Sequence, residues 1–389
     1  MKAYNLFLFY LALIFSNLDC QAQNTDFKTT TNKQLNNRFV KILESPIDSL
    51  GFPRSMSVKT GEIKKVPSKD WTSGFYVGNL WQLYALTADS RYLEKAQKWS
   101  PFLEKEKFNG GTHDMGFKIY CSFGKGYQIN QSEAYKKVII KSAQTLCSRF
   151  NKKIASLKSW DNRERWEFPV IIDNMMNLEL LFEASKLTGD DYYRKIAIQH
   201  ANTTLKNHFR KDNSCYHVVG YDTISGKVKT KNTHQGYSDD SSWARGQAWA
   251  VYGFTMSYRY TKDKNYLKQA EATAQFFINH KNMPEDGIPY WDFDAPTIPN
   301  ATRDASAAAI MASALIELYT ITKKDVYFDY SDKVINSLSS SKYLLDESVN
   351  APFILDHSTG DWSKKAELDE PIIYADYYFL EAIIRKKAL

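Results

Sequence analysis

Two aspartates give the strongest chemical signal in the sequence. Asp173 stands between Ile172 and Asn174 in an otherwise apolar run, and Asp114 follows His113 in a polar segment. Two carboxyl groups that share an enclosed site cannot easily both ionise, so one keeps a proton at neutral pH and can act as an acid. An Asp before a helix can instead cap it by accepting backbone N–H groups. Proton transfer and helix capping are both open interpretations at this point.

Tryptophans and an arginine accompany the two aspartates. Arg245 lies one helical turn before Trp249, and its guanidinium would suit either a ligand carboxylate or an aspartate of the protein. Indole rings stack on sugar faces, but they also pack in protein cores. The tryptophans concerned are Trp71, Trp160, Trp166, Trp243 and Trp249. Their number favours a carbohydrate site.

The histidines do not indicate a metal site. His113, His217 and His234 match no compact ligand spacing, and His113 is better interpreted as a hydrogen-bonding neighbour of Asp114. The sequence also lacks a dinucleotide-binding Gly-x-Gly-x-x-Gly after a strand, a phosphate-binding Gly-Lys-Ser/Thr loop and a serine nucleophile elbow. Redox, nucleotide-dependent and serine-hydrolase functions are therefore disfavoured, and no metal is predicted.

A repeated spacing indicates which elements position these residues. In four segments a Thr is followed by a Tyr five positions later and by a small residue nine positions later. The segments are Thr87/Tyr92/Ala96, Thr188/Tyr193/Ala197, Thr261/Tyr266/Ala270 and Thr322/Tyr327/Ser331, with a weaker relative at Asn130/Tyr135. An amphipathic helix is predicted after each Thr. A helix that is apolar on most faces is predicted before it, as in 174–187 and 305–319.

Alternating apolar and amphipathic helices predict hairpins with one inner and one outer helix. Five such hairpins and the C-terminal stretch 371–385 make about six, so the predicted fold is all-α, an (α/α)6 barrel. An open array of helix pairs is the alternative. Few runs resemble strands, residues 216–221 being one. In a closed ring all inner helices start at one end, which would bring Asp114, Asp173 and Arg245 into one pocket.

Composition allows one large domain with an anionic partner. The 389 residues are 43% hydrophobic, and 51 Lys and Arg against 44 Asp and Glu leave a net charge of +7. This balance suits nucleic acid and acidic glycan equally. After the N-terminal segment, Cys121, Cys147 and Cys215 form no short-spaced pair, so no disulfide framework is predicted.

The N-terminus predicts export. Lys2 precedes an apolar run over 6–15 that is too short to span a bilayer, and the small residue Ala22 follows. We interpret residues 1–22 as a signal peptide and 23–389 as one catalytic domain, periplasmic and without a membrane span. A lipid anchor at Cys20 is the alternative, although Asp19 before it fits that processing poorly.

Six short motifs follow one another between about residues 70 and 381. They are His113-Asp114-Met115-Gly116-Phe117, Val170-Ile171-Ile172-Asp173-Asn174-Met175-Met176-Asn177-Leu178-Glu179, His234-Gln235-Gly236-Tyr237, Ser242-Trp243-Ala244-Arg245-Gly246-Gln247-Ala248-Trp249, Arg303-Asp304-Ala305-Ser306 and Tyr374-Ala375-Asp376-Tyr377-Tyr378. Together they resemble glycoside hydrolase family 88, the unsaturated glucuronyl hydrolases. Six motifs in one order are far more specific than any single motif.

The resemblance implies an (α/α)6 barrel that acts on an acidic unsaturated oligosaccharide without a metal or an organic cofactor. By the family's pattern, Asp173 is the general acid and base, and Asp114 is its essential neighbour. The implied substrate contacts are Trp71, His113, Trp160, His217, Gln235, Arg245 and Trp249. Nucleic acid is then no longer expected as a partner. We expect the protein to be a monomer or a weak homo-oligomer.

The implied reaction is hydration of a C4=C5 vinyl ether rather than ordinary glycoside cleavage. Two other functions stay open: an unsaturated rhamnogalacturonyl hydrolase acting on pectin fragments, and a non-catalytic glycan-binding protein on the same scaffold. Fragments of glycosaminoglycans, ulvan or gellan are all allowed as substrates. Ser363, Lys364 and Lys365 could contact a sulfate on the next sugar or form a solvated surface.

Overall fold

The computed structural model of the chain describes residues 33–46, 51–161 and 164–389. The predicted leader and Cys20 lie outside these ranges. Within them the chain forms α1 Lys33–Glu44, α2 Ser73–Thr87, α3 Ser90–Trp99, α4 Lys125–Asn130, α5 Glu133–Cys147, α6 Leu178–Thr188, α7 Asp191–Asn207, α8 Ala244–Thr261, α9 Lys264–Ile278, α10 Ala305–Thr322, α11 Asp325–Leu338 and α12 Ile373–Lys387. A π-helix, Gly116–Gly124, runs directly into α4, and a 3₁₀ segment, Ile172–Asn177, runs directly into α6.

Six inner elements close into a ring. In order they are α2, the π-helix with α4, α6, α8, α10 and α12, and each packs against the next, with α12 returning to α2. The outer helices α3, α5, α7, α9 and α11 each follow an inner element and pack against it, while α1 packs against α3. The predicted (α/α)6 barrel is therefore confirmed, and the open array is wrong because α12 contacts α2.

Burial separates the two layers. Every residue of α10 from Ala305 to Ile316 is buried, as expected of a helix enclosed on all sides. In α3, by contrast, the buried residues are Tyr92, Lys95, Ala96 and Trp99, which form one stripe. Within the described ranges α10 alone is long and apolar enough to cross a membrane, and 72% of that stretch is buried inside the barrel.

The repeated Thr ends each inner helix and shapes the turn to the outer one. The Oγ1 atoms of Thr87, Thr188, Thr261 and Thr322 donate to the carbonyls of Leu83, Ala184, Ser257 and Leu318. The same oxygens accept the N–H of the residue two positions later, which is Asp89, Asp190, Asp263 or Lys324. The three aspartates then cap their outer helices. The Tyr that follows is buried in all four hairpins.

Antiparallel strands occupy the loops that precede inner helices. They form the pairs β1 Phe52–Met56 with β2 Ile63–Val66, β3 Phe150–Asn151 with β4 Ser156–Leu157, and β8 Ser358–Asp361 with β9 Ala366–Glu370, and the sheet β5 Phe168–Ile171, β6 Val218–Tyr221, β7 Val228–Asn232. The predicted strand 216–221 is confirmed over four residues. The predicted helix 174–187 is α-helical only from Leu178, because its first residues form the 3₁₀ segment that bears Asp173.

Candidate active site

A cavity of about 220 Å³ opens at the end of the barrel where the inner helices begin. Its lining residues are Arg54, Trp71, His113, Asp114, Phe117, Trp160, Ile171, Asp173, His234, Gln235, Arg245, Gly360, Asp361, Lys364 and Tyr374. Seven of the nine predicted site residues are among them. The other two, His217 and Trp249, lie behind the cavity wall.

Asp173 is the second residue of the 3₁₀ segment, directly after strand β5. Its side chain is 13% exposed. Burial, together with the charge of Asp114, raises the pKa of Asp173 to about 7 against the opposing effects of its own backbone N–H, Arg245 and Trp249. A carboxyl group with this pKa is partly protonated at neutral pH and can donate a proton.

His217 lies beside Asp173 in a fixed tautomer. Its Nδ1 accepts the backbone N–H groups of His234 and Gln235, each at 3.2 Å. Burial, together with the charges of His234 and Arg245, lowers the pKa of His217 well below its usual value, so the ring is neutral. A neutral ring with an accepting Nδ1 must hold its proton on Nε2. That atom lies 3.5 Å from Oδ2 of Asp173, and no hydrogen bond joins the two.

His113 has the opposite tautomer beside Asp114. Its Nδ1 lies 2.7 Å from the carbonyl oxygen of Ser159, which can only accept, so Nδ1 holds the proton. Burial lowers the pKa of His113 and keeps the ring neutral. The unprotonated Nε2 therefore faces Oδ1 of Asp114 at 3.1 Å without a hydrogen bond aligned between them. Oδ2 of Asp114 accepts from the hydroxyl of Thr112 at 2.9 Å.

Arg245 forms an internal ion pair, the second of the two interpretations of this residue. Its Nη1 lies 2.6 Å from Oδ2 of Asp304, and both side chains are almost fully buried. The guanidinium also donates to the carbonyls of Thr359 and Gly360 at 2.7 and 2.5 Å. Arg245 thus holds strand β8 against the barrel while it presents a positive charge to the cavity.

Aromatic rings surround the two aspartates. Trp71 packs against Tyr374 and Phe117, with ring centroids 5.0 and 5.4 Å apart. Trp249 is buried beneath Phe117 at 5.3 Å. Trp160 meets the rings of His217 and His234 in edge contacts at 5.9 and 5.3 Å. A sugar ring in the cavity would therefore lie between indole walls.

Some residues that line the cavity are not predicted from the sequence. Arg54, on strand β1, makes a bidentate pair with Glu367 at 2.6 and 3.0 Å and a further pair with Asp70. Asp361 lies at the end of strand β8 and accepts from Lys364 Nζ at 2.6 Å. No local pattern identifies Arg54, because its main partner is 313 residues away. Asp361 could have been suspected from its place next to the Ser-Lys-Lys segment.

The chain is similar to known proteins over most of its length. The Glycosyl Hydrolase Family 88 model matches residues 52–282. A Formosa agariphila protein named unsaturated glucuronyl hydrolase is 58% identical over 387 residues, which cover 97% of each chain. The crystal structure of an unsaturated glucuronyl hydrolase specific for heparin has a TM-score of 0.88 at 43% identity, covering 92% of this chain and 96% of that one. The counterpart from Bacillus sp. GL1, responsible for the degradation of glycosaminoglycan, has a TM-score of 0.85 at 29% identity, covering 91% and 95%.

Proposed function

This chain belongs to glycoside hydrolase family 88, and from that premise we propose that Asp173 protonates the C4=C5 bond of a terminal unsaturated uronic acid in a glycosaminoglycan fragment. As a family member the protein is a glycosidase, an unsaturated glucuronyl hydrolase. The observation that carries the proposal is the state of Asp173. It lines the cavity, and its pKa, raised to about 7, keeps part of it protonated at neutral pH.

The reaction follows from the electron distribution of the substrate. The double bond is conjugated with the ring oxygen as a vinyl ether, so C4 accepts a proton and positive charge develops at C5 and the ring oxygen. Asp173 gives that proton and, once ionised, takes a proton from the water that adds at C5. The resulting hemiketal opens, and the glycosidic bond at C1 is lost with release of the next sugar.

The two neighbours of Asp173 have separate roles in this scheme. Nε2 of His217 bears a proton and lies 3.5 Å from Oδ2 of Asp173, so it can donate to that oxygen once Asp173 is ionised. The carboxylate of Asp114 lines the same cavity and favours the protonated form of Asp173. Asp114 also stabilises the positive charge that develops on the sugar ring.

The mouth of the cavity supports a sulfated or otherwise acidic second sugar. Lys364 lines the cavity wall while its side chain stays 54% exposed, held by Asp361. An ammonium group in this position can meet a sulfate without losing its hydration completely. The glycosaminoglycan class named for two structurally similar enzymes agrees with this charge.

A panel of lyase-generated disaccharides tests the proposed function. Consumption of the substrate removes the conjugated double bond and therefore its ultraviolet absorbance. We expect loss of absorbance with unsaturated glycosaminoglycan disaccharides, sulfated and unsulfated, and little loss with pectic ones. Selective turnover of the pectic substrates would identify a rhamnogalacturonyl hydrolase. Tight binding of all the oligosaccharides without turnover of any would leave only a glycan-binding role.

Lys364→Ala tests the role of the cavity mouth. We expect KM for sulfated disaccharides to rise by about 3- to 10-fold with kcat unchanged, because an exposed charge contributes roughly 1 kcal/mol. For unsulfated disaccharides KM should stay within about twofold. Lys268→Ala removes the same charge from an exposed position on outer helix α9 and is the matched control. Equal effects of Lys364→Ala on both substrate types would refute sulfate contact.

A further inference from the structure

The segments that bear the two aspartates are joined by one side chain. Asn177 ends the 3₁₀ segment that contains Asp173, and Gly116 starts the π-helix two residues after Asp114. Oδ1 of Asn177 accepts the backbone N–H of Gly116 at 2.8 Å and that of Phe117 at 3.2 Å. The residues joined in this way lie about sixty positions apart in the sequence.

This contact differs from the usual role of an Asn at the start of a helix. Such an Asn normally accepts N–H groups of its own helix. Asn177 directly precedes α6, yet its side chain makes no capping bond there. It caps the π-helix instead, whose first N–H groups have no partner within that helix. The acceptor must be the amide oxygen, since both partners are N–H donors.

Close packing leaves the bridge little freedom. Asn177 is fully buried. A Cβ added to Gly116 would lie 2.7 Å from Cα of Asn177 and 2.8 Å from its Oδ1, so the two backbones are in direct contact. On the other side of the π-helix, a Cβ on Gly74 would lie 2.3 Å from the carbonyl oxygens of Phe117 and Lys118. The π-helix is thus clamped between α2 and the 3₁₀ segment.

We propose that Asn177 is a positioning residue that fixes Asp114 relative to Asp173 by capping the π-helix. Asp173 is four residues before the bridge and Asp114 is two residues before its other end, so a shift of either segment changes the spacing of the two carboxyl groups. The proposal rests on the proposed function only in assigning a catalytic consequence to that spacing. The bridge itself is independent of any substrate.

Two near-isosteric variants separate the bridge from simple packing. Asn177→Leu removes the accepting oxygen at similar shape, and Asn177→Asp keeps an acceptor. Among the described residues the Nδ2 of Asn177 has no hydrogen-bond partner, so the Leu variant loses only the two bonds of the oxygen. Asn79→Leu is the matched control. Asn79 is a buried Asn of inner helix α2 that donates to the carbonyl of Ile373 at 3.4 Å, outside both aspartate segments.

We expect Asn177→Leu to lower kcat by about 30-fold with KM within about threefold, because a misplacement near 1 Å can cost two orders of magnitude. The groups facing Asp173 are Asp114, Arg245 and His217. A displaced Asp114 raises the pKa of Asp173 less, so the basic limb of the pH profile of kcat should move to lower pH. Hydrogen exchange should show loss of protection at the amides of Gly116 and Phe117. Asn177→Asp should keep kcat within about threefold of the wild type.

The proposal is overturned if Asn177→Leu changes activity only as much as Asn79→Leu does, with an unchanged pH profile, or if the two amides stay protected. Should the Leu variant not fold, the Asp variant decides, because a folded Asp variant with strongly reduced kcat contradicts the proposal. If the wild type turns over no unsaturated uronide while protection of the amides still depends on Asn177, the proposed function fails and the bridge stands.

Discussion

The two histidine–aspartate pairs of the cavity have the same residue types and opposite proton positions. At Asp173 the backbone N–H groups of His234 and Gln235 force the proton of His217 onto Nε2, facing the carboxyl group. At Asp114 the carbonyl of Ser159 draws the proton of His113 to Nδ1, away from the carboxylate. The partner of Nδ1 therefore decides whether the ring nitrogen that faces the aspartate carries a proton.

This difference supports separate roles for the two carboxyl groups in the proposed mechanism. Asp173 has a protonated ring nitrogen 3.5 Å from one oxygen, with no hydrogen bond between them, and burial raises its pKa to about 7. Asp114 has its hydroxyl donor in Thr112 and faces a lone pair of His113. Burial and these contacts together give two chemically equal residues the different environments on which the proposed roles of proton donor and neighbouring charge rest.

Removal of the proposed proton donor should have the largest effect. Asp173→Asn keeps the shape of the side chain but cannot transfer a proton, so we expect kcat to fall by about 10³-fold or more. Helical circular dichroism should be unchanged. Asp376→Asn is the control, because Asp376 is also buried with its pKa raised to about 7, yet it accepts from Ile354 and Leu355 outside the cavity. An Asp173→Asn variant as active as the wild type would rule out the proposed acid.

Asp114→Asn should have the second largest effect. We expect kcat to fall by about 10²-fold, since a charge that favours the cationic transition state is lost. The negative charge of Asp114 helps to raise the pKa of Asp173, which Arg245 opposes and His217 faces. The variant should therefore lose activity at a lower pH than the wild type as pH rises. A kcat–pH profile with an unmoved basic limb would show that Asp114 does not act on Asp173.

Replacing the two histidines tests the assigned difference between the pairs. His217→Phe removes the Nε2–H that lies near Asp173 and can donate to its ionised form, so we expect kcat to fall by about 10-fold and the basic limb to move to higher pH. His113→Asn keeps a donor for the carbonyl of Ser159 and should lower kcat by about threefold or less. Larger losses at His113 than at His217 would contradict the assigned difference between the pairs.

The sequence is sufficient to predict the barrel, but it does not predict the difference between the two histidine–aspartate pairs. The Thr–Tyr repeat predicts the hairpins because its hydrogen bonds are local, as in the bonds of Thr87 to Leu83 and Asp89. The sequence also predicts that the two aspartates share one pocket, because the inner helices of a closed ring begin at one end. Their spacing depends on Asn177 and Gly116, which only the folded chain brings together.

The wall of the cavity was predicted less well, for the same physical reason. The ion pair with Glu367 holds Arg54 at the cavity wall. Arg245 is paired with Asp304 and donates to carbonyls of strand β8. Neither pairing follows from local spacing, since each joins distant parts of the chain. The 3₁₀ segment and the π-helix also depend on these long-range contacts, and helical periodicity alone predicts a regular α-helix at both places.

The smallest predicted effect is on stability, and it has a defined sign. The pKa of Asp173 is about 7 in the folded protein and about 4 in an unfolded chain. Between these two pH values the folded protein keeps the proton on Asp173, while the unfolded chain has lost it. The corresponding stability is fully present below about pH 4 and is lost as pH rises to about 7.

Asp173→Asn has no proton to lose, so its Tm should exceed that of the wild type by about 2–4 °C at pH 8 and by less at pH 5. Thermal unfolding at several pH values measures the difference, with the exposed Asp240→Asn as the control. A Tm difference that does not grow between pH 5 and 7 would show that Asp173 is already ionised in the folded protein, and the contrast between the two pairs would then lose its basis.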